Sequence, residues 1–179
     1  MMMVVIHAND TTTGFLSRLY DQREDVSVRI AEGSTNEAVR RALREGDTVM
    51  MLGHGNPFGL FSAPSKNGRY ERFLITDSHV QFLRDKTCIG IWCHADQFAQ
   101  RYQLHGLFSG MIISELQEAI DYGIEATKDE IDREMVKFAQ RLRHCIDNYD
   151  LEEVPMRMKE LDDVKSPLTT FNYDRLYYY

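Results

Sequence analysis

Residues 48–55 read TVMMLGHG, a short apolar run that stops abruptly at a histidine between two glycines. Residues 88–96 read CIGIWCHAD, where a second apolar run stops just as abruptly at Cys93. Short continuous apolar runs with such boundaries are typical of fully buried strands in a parallel sheet. The two runs therefore predict core strands over 48–52 and 88–92, which end next to the reactive side chains of His54 and Cys93.

The rest of the chain alternates in the same way. Strands are predicted over residues 2–7, 26–30 and 106–114, a small hairpin over 56–75, and an aromatic edge strand over 171–179. Helices are predicted over 11–20, 36–45, 77–84, 96–103, 115–122, 129–148 and 154–161. Thr11, Thr12 or Thr13 is expected to cap the first helix, and Ser34 or Thr35 the second. This alternation predicts an α/β three-layer sandwich with a mostly parallel sheet flanked by helices.

The length of 179 residues suits one domain with a sizeable core. We expect a core over 1–122 and a helical and edge-strand extension over 123–179. The net charge of −7 argues against nucleic acid or an anionic membrane as a partner. The acidic excess lies in the second half, because residues 115–163 carry 15 acidic and 7 basic side chains.

Three cysteines, with no regular spacing, do not indicate a disulfide framework. The first residues lead directly into a strand-like run, so we expect no signal peptide, and no apolar run is long enough to span a membrane. We therefore expect a cytoplasmic protein, in a reducing compartment that keeps a thiol usable. The sequence leaves the oligomeric state open.

The chemistry expected at the two strand ends is nucleophilic. In an open parallel α/β sheet, functional groups gather at the carboxyl ends of the strands. If the two strands are neighbours, His54 and Cys93 face each other, and the histidine can take the proton of the thiol. A helix beginning near residue 96 would favour the thiolate, and the backbone amides of Gly55 and Cys93 are candidates for an oxyanion hole. A turn histidine and a buried core cysteine remain the simpler alternative.

These residues resemble the caspase-like cysteine peptidases, the superfamily of caspases, metacaspases, gingipains and clostripain. Metacaspases in particular have a Gly-His-Gly and a Cys-His after successive hydrophobic strands, as Gly53-His54-Gly55 and Cys93-His94 stand here. The resemblance covers roughly residues 1–115 as an architecture. It implies a caspase-like topology and a peptidase in which His54 is the acid/base and Cys93 the nucleophile, acting on protein or peptide substrates without a cofactor.

The resemblance also bears on specificity. Metacaspases usually carry an acidic residue two positions before the cysteine, which helps to bind a basic substrate residue, but this chain has Ile91. Members of the superfamily read the substrate with a residue from the end of the first strand, where this chain has Asp10. Asp10 is therefore a candidate substrate-binding residue for Arg or Lys, and its alternative role is to cap the first helix.

Other functions remain open. One alternative is a catalytically inactive caspase-like domain that acts as an interaction or regulatory module. Another is a flavodoxin-like small-molecule binding domain, in which Gly53–Gly59 binds a phosphate and Cys93 is structural. His79, His94, His105 and Asp96 match no familiar zinc spacing, so no metal site is expected.

Overall fold

The computed structural model describes residues 2–8, 10–31 and 35–179. Its strands are β1 (Met3–His7), β2 (Val26–Ile30), β3 (Thr48–Leu52), β4 (Gly55–Asn56), β5 (Gly59–Phe61), β6 (Phe73–Ile75), β7 (Thr87–Ile91), β8 (His105–Ser109) and β9 (Leu176–Tyr178). Six strands form one sheet in the order β2-β1-β3-β7-β8-β9, and β4, β5 and β6 form a small antiparallel sheet. In the large sheet only β9 is antiparallel to its neighbour.

The α-helices are α1 (Asn36–Glu45), α2 (Ala95–Tyr102), α3 (Leu116–Asp121), α4 (Lys128–Asn148), α5 (Val154–Leu161) and α6 (Pro167–Tyr173). Two 3₁₀ helices span Thr11–Leu19 and Asp77–Phe82. Thr35 caps α1 by accepting a hydrogen bond from the Ala38 amide at 3.2 Å, whereas the other predicted cap, Ser34, lies outside the described residues. Within the described ranges, no helix combines the length and the apolar character that a membrane crossing requires.

Alternate residues of the central strands build two separate cores, one on each face of the sheet. Val49 and Met51 pack toward α1, α2 and the 3₁₀ helix 77–82. Met50 and Leu52 pack toward the 3₁₀ helix 11–19, α4, α5 and α6. All four side chains are fully buried, as the continuous apolar run requires. The predicted three-layer α/β sandwich with a mostly parallel sheet is confirmed.

The sheet brings the ends of three strands together. Strand β3 lies between β1 and β7, and Leu52 pairs with both His7 and Ile91, so the three following loops leave the same edge of the sheet. The chain goes from β1 outward to β2 and returns on the other side as β3, which makes the β1–β3 junction a topological switch point. Ligands of open α/β sheets bind at such a junction.

The sequence prediction differs from the structure in the first helix. Residues 11–19 form a 3₁₀ helix, and Asp10, not one of the three threonines, caps it by accepting a hydrogen bond from the Thr12 amide at 3.0 Å. A carboxylate just before the helix competes directly with the hydroxyls of Thr11, Thr12 and Thr13 for this role. Residues 77–82 are also 3₁₀, where an α-helix to residue 84 was predicted.

Two further predictions were wrong at their boundaries. Strand β8 ends at Ser109 rather than Ser114, because the Gly110 carbonyl accepts from the His94 amide and the Gly110 amide donates to Arg175, which turns the chain away from β7. The tail forms α6 through Tyr173 and keeps only residues 176–178 as the edge strand. The 56–75 region is a three-stranded sheet with a loop over 62–72, not a single hairpin.

Candidate functional site

His54 follows β3 directly, and both flanking glycines have a structural reason. Gly53 has a φ of 142°, a conformation that side chains with a Cβ rarely adopt. At Gly55 a Cβ would lie 2.2 Å from Cδ1 of Trp92, whose indole N–H donates to the Asn56 carbonyl at 3.2 Å. The Gly-His-Gly sequence therefore combines a sharp turn with a close approach of the backbone to Trp92.

The imidazole of His54 is held by a short relay. Its Nε2 lies 2.8 Å from the Thr12 hydroxyl, and that hydroxyl donates to Oδ1 of Asp10 at 2.9 Å. A hydroxyl has one proton, so Thr12 can only accept from His54, and Nε2 must carry the hydrogen. The relay fixes the tautomer in which Nδ1 has the free lone pair, and Nδ1 is then the atom available as a base.

Tyr70 completes this cluster from the loop over 62–72. Its hydroxyl donates to Oδ2 of Asp10 at 2.9 Å, and its ring centroid lies 5.3 Å from that of His54. Burial and the Asp10 carboxylate raise the pKa of Tyr70 well above its usual range, so Tyr70 remains a hydrogen-bond donor. Burial alone would raise the pKa of Asp10, but hydrogen bonds from Thr12 and Tyr70 outweigh it and lower that pKa.

These contacts show that Asp10 caps the first helix. Its Oδ1 receives two hydrogen bonds from Thr12, and its Oδ2 receives one from Tyr70 and lies 4.0 Å from Nε2 of His54. The residue is only 9% exposed. The structure thus gives Asp10 the capping role and places it beneath His54, with its carboxylate already engaged.

Cys93 is positioned by β7 and β8. The buried Ser109 hydroxyl accepts from the Trp92 amide at 3.0 Å and donates to the Trp92 carbonyl at 2.8 Å, which fixes the backbone just before the cysteine. The two strands that precede His54 and Cys93 are neighbours, because β3 pairs with β7 along its whole length. Cys93 lies two residues before α2, whose first residue is Ala95.

The thiol of Cys93 is hydrogen-bonded to a backbone carbonyl. Its sulfur lies 3.6 Å from the Ile112 carbonyl, to which the S–H donates. Burial, together with the carboxylates of Glu118 and Glu115, raises the pKa of Cys93 to about 12. The favourable effect expected from the following helix does not overcome this burial, so the thiol is protonated at neutral pH.

His54 and Cys93 line one small cavity of about 20 Å³, together with Gly53, Ile112 and Ser114. Across the described residues, the hydrogen bond of the Cys93 sulfur goes to Ile112, and none joins it to His54. Gly55, one of the two predicted oxyanion donors, is the first residue of β4 and does not line this cavity. Gly53 lines it, but its amide donates to the Ile91 carbonyl at 3.1 Å. The amide of Cys93 interacts with its own sulfur.

A larger cavity of about 490 Å³ adjoins this site. It lies between the 3₁₀ helix 11–19, the start of α3 and the first half of α4. Phe15 and Ser114 line both cavities. Glu115, on the wall of the larger one, has its Oε1 3.8 Å from Nε2 of His54.

The histidines considered for a metal site lie apart in the fold. His79 bonds to Thr76, His94 to Gln97 and His105 to Tyr178. Within the described part of the chain, no group of three or more His, Cys, Asp or Glu side chains is arranged to hold a metal ion. All three cysteines, Cys88, Cys93 and Cys145, are free.

Sequence reasoning missed Thr12 and Tyr70. Thr12 was considered only as a helix cap, and Tyr70 lies in a region that the sequence marks only by its turn residues. No local pattern reports that two side chains from distant loops meet at one carboxylate. No protein-family model and no curated protein sequence matches this chain.

Proposed function

We propose that this protein is a cysteine peptidase in which Cys93 is the nucleophile and His54 the general acid and base. The observation that carries the proposal is that His54 and Cys93 follow adjacent parallel strands and line the same cavity, next to the switch point of the sheet. The Thr12–Asp10 relay supports it further, because it orients the imidazole as a catalytic base requires.

In the proposed reaction, Nδ1 of His54 takes the proton of Cys93, and the sulfur attacks the carbonyl carbon of the scissile peptide bond. The tetrahedral intermediate collapses to a thioester as the amine leaves with the proton from His54. A water molecule, deprotonated by Nδ1, then attacks the thioester and releases the acid and the free thiol. When His54 becomes an imidazolium, its Nε2–H donates to Thr12 and thus indirectly to the Asp10 carboxylate.

The resting thiol sets one requirement. With its pKa near 12 and its proton directed at Ile112, Cys93 must leave this hydrogen bond before His54 can activate it. Ile112 holds the thiol and, with Ser114, lines the cavity of Cys93, so the proposed catalysis includes a displacement of residues 110–115 when substrate binds. The carboxylate of Asp10, the predicted substrate-binding residue, accepts hydrogen bonds from Thr12 and Tyr70.

The hydrogen bond from Cys93 to Ile112 favours a second candidate, a non-catalytic interaction module with the same fold. A thiol that is buried, protonated and bonded to a backbone carbonyl is what a structural cysteine requires. In that case His54, Thr12 and Asp10 would stabilise the strand ends without acting on a substrate.

The deciding experiment is digestion of a peptide library, read by mass spectrometry, with the wild-type protein, Cys93→Ala and His54→Ala. We expect cleavage by the wild type only, and an acyl adduct on Cys93 when a peptide with an electrophilic carbonyl is supplied. Alkylation by iodoacetamide over a range of pH, with Cys145 as the internal buried control, measures thiol activation separately. The absence of cleavage, together with alkylation of Cys93 that is no faster than that of Cys145 and unchanged in His54→Ala, would establish the non-catalytic module.

A further inference from the structure

The cavity of about 490 Å³ beside His54 has an apolar floor. Phe15 from the 3₁₀ helix, Leu116 from α3, and Ile131, Met135 and Val136 from α4 line it. Ile131 and Met135 are buried, while Leu116 is 41% exposed at the entrance. We call this cavity the α4 groove. Its volume suits one or two large side chains of a peptide.

The α4 groove is continuous with the proposed catalytic residues. Thr12 and Glu115 belong to its wall, and both approach Nε2 of His54, at 2.8 and 3.8 Å. Phe15 and Ser114 line the groove on one side and the His54–Cys93 cavity on the other. A ligand in the groove therefore lies next to the His54–Cys93 cavity, from which Phe15 and Ser114 separate it.

The wall of the α4 groove has one more carboxylate than cation. Its charged side chains are those of Glu115, Lys128 and Asp132, and Lys128 forms an ion pair with Asp132. The surrounding segment is acidic, because residues 115–132 carry seven acidic side chains and one basic side chain. The side chain of Glu115 is 43% exposed, so this carboxylate is open to a ligand entering the groove.

We propose that the α4 groove binds a peptide segment that joins a large apolar side chain to a neighbouring Lys or Arg, with the apolar side chain between Phe15 and Met135 and the cation at Glu115. As an assignment of substrate it rests on the proposed peptidase function. The apolar floor supplies affinity through burial, and the Glu115 carboxylate disfavours an acidic side chain in the same place by charge repulsion. A site made of carboxylates alone would bind any basic peptide, whereas the apolar floor also selects for the large apolar side chain.

The test measures binding independently of cleavage, with the Cys93→Ala variant and fluorescence anisotropy. The probe is a fluorescein-labelled hexapeptide, Gly-Arg-Phe-Leu-Arg-Gly. One control peptide replaces Phe-Leu by Ser-Ser, and the other replaces both arginines by glutamates. We expect the probe to bind and each control peptide to bind at least about tenfold more weakly, a difference of roughly 1.4 kcal/mol.

Two matched substitutions in the Cys93→Ala background place the probe in the groove. Leu116 and Ile120 are both exposed apolar residues on α3, one turn apart, but only Leu116 lines the groove. Leu116→Ser is expected to weaken binding about fivefold or more, from the lost apolar contact, and Ile120→Ser to leave binding unchanged. Val136→Arg, which places a cation at the floor, is expected to abolish it. Circular dichroism confirms that each variant is folded.

The proposal is overturned if the probe does not bind at concentrations up to about 1 mM, the weak end of specific affinity. Equal binding of the Ser-Ser or Glu peptides, or equal effects at Leu116 and Ile120, also overturn it. If the probe binds with the expected pattern but the wild type cleaves no peptide, the peptidase function is rejected and the groove is still a peptide-binding site. If the wild type cleaves peptides without preference for the apolar residues, the groove proposal is rejected and the peptidase function stands.

Discussion

At His54 the side chain depends on a hydroxyl rather than directly on a carboxylate. Thr12 lies between the imidazole and Asp10, and the carboxylate is 4.0 Å from Nε2, too far for a hydrogen bond. Asp10 therefore acts on His54 by orienting the proton of Thr12. The orientation of the imidazole rests on a single methyl-hydroxyl side chain on the exposed side of the 3₁₀ helix.

Thr12→Val tests this dependence, because valine keeps the shape of threonine and removes the hydroxyl. With the relay broken, Nε2 loses its acceptor and the tautomer with Nδ1 free is no longer selected. We expect kcat/KM on a cleaved peptide to fall by roughly 10²-fold, at the low end of general acid–base contributions. Thr12→Ser restores the hydroxyl and should recover most of the activity.

Urea denaturation separates catalysis from simple loss of structure. The free energies of unfolding of Thr12→Val and Thr12→Ser should be similar, while their values of kcat/KM differ. A Thr12→Val protein with wild-type activity contradicts the relay.

Strand β4 packs so closely at Gly55 that there is no room for a side chain. A Cβ there would meet Cδ1 of Trp92 at 2.2 Å and the Gly59 carbonyl at 2.5 Å, so β4 or Trp92 must move. We expect Gly55→Ala to reduce the free energy of unfolding by about 1–3 kcal/mol, the usual cost of overpacking. Gly14→Ala is the control, since nothing lies within 4 Å of its added Cβ. Urea denaturation measures both.

Helix α6 holds segment 110–115 in place. The buried side chain of Asn172 accepts from the Ile113 amide at 2.8 Å and donates to the Ile113 carbonyl at 2.9 Å. The neighbouring Ile112 carbonyl receives the thiol of Cys93. The amide of Asn172 thus fixes the segment that covers the proposed nucleophile.

Removing this clamp should uncover the sulfur. Asn172→Ala leaves the amide and carbonyl of Ile113 without partners, and we expect a loss of about 2 kcal/mol in the free energy of unfolding. We also expect alkylation of Cys93 to become at least several-fold faster, while Cys145 stays protected. Thr170→Ala, an exposed change on the same helix, is the control. Destabilisation without any change at Cys93 would show that the clamp and the thiol are independent.

The elements also show what the sequence could and could not predict. Strands 26–30 and 48–52 and helices 36–45 and 154–161 have the predicted boundaries, because apolar periodicity and turn residues define them locally. Residues 110–113 have the same apolar character as a strand. Their backbone partners, however, are the side chain of Asn172 and the carbonyl of Arg175, about sixty residues away in the chain.

The site divides in the same way. His54 and Cys93 were recognisable because each follows an apolar run, and strand ends gather at one edge of a parallel sheet. Thr12 and Tyr70 were not, because their contribution depends on where their hydroxyls point. The raised pKa of Cys93 depends on burial by segment 110–115, which no spacing of residues encodes.

Across the whole molecule, residues 123–179 complete one layer of the sandwich. Ile131, Phe138 and Leu142 of α4 belong to the same core as β1 and β3. Arg143 donates to the carbonyl of Leu19 at 3.1 Å, and so holds the end of the 3₁₀ helix that begins beside Thr12. The stability of the site is therefore tied to the stability of the complete fold.

His7 makes that global stability dependent on pH. It is 2% exposed, bonded to Tyr20 and Thr13, and burial, with Arg29 adding to it, lowers its pKa from 6.5 to about 4. The unfolded chain therefore binds a proton more readily, so stability is lost as the pH falls from about 6.5 to about 4. The lowered pKa corresponds to about 3 kcal/mol.

Urea denaturation between pH 7 and pH 4 measures this dependence. His7→Gln keeps a donor and an acceptor but cannot titrate, so its stability should change less over that range by roughly 3 kcal/mol. If wild type and His7→Gln lose stability in parallel, other groups are responsible for the acid sensitivity.

The clamp of Asn172 on Ile113 has a consequence for how the protein is made. The ribosome synthesises the chain from the N-terminal side, so Cys93 leaves the exit tunnel 79 residues ahead of Asn172. At about 5–20 residues per second this interval lasts roughly 4 to 16 s. During this interval, segment 110–115 lacks the hydrogen bonds that the Asn172 side chain makes to Ile113 in the finished fold. The nascent chain therefore passes through a stage in which the Cys93 thiol is more open to oxidants and electrophiles than in the finished fold, and this stage ends when α6 is synthesised.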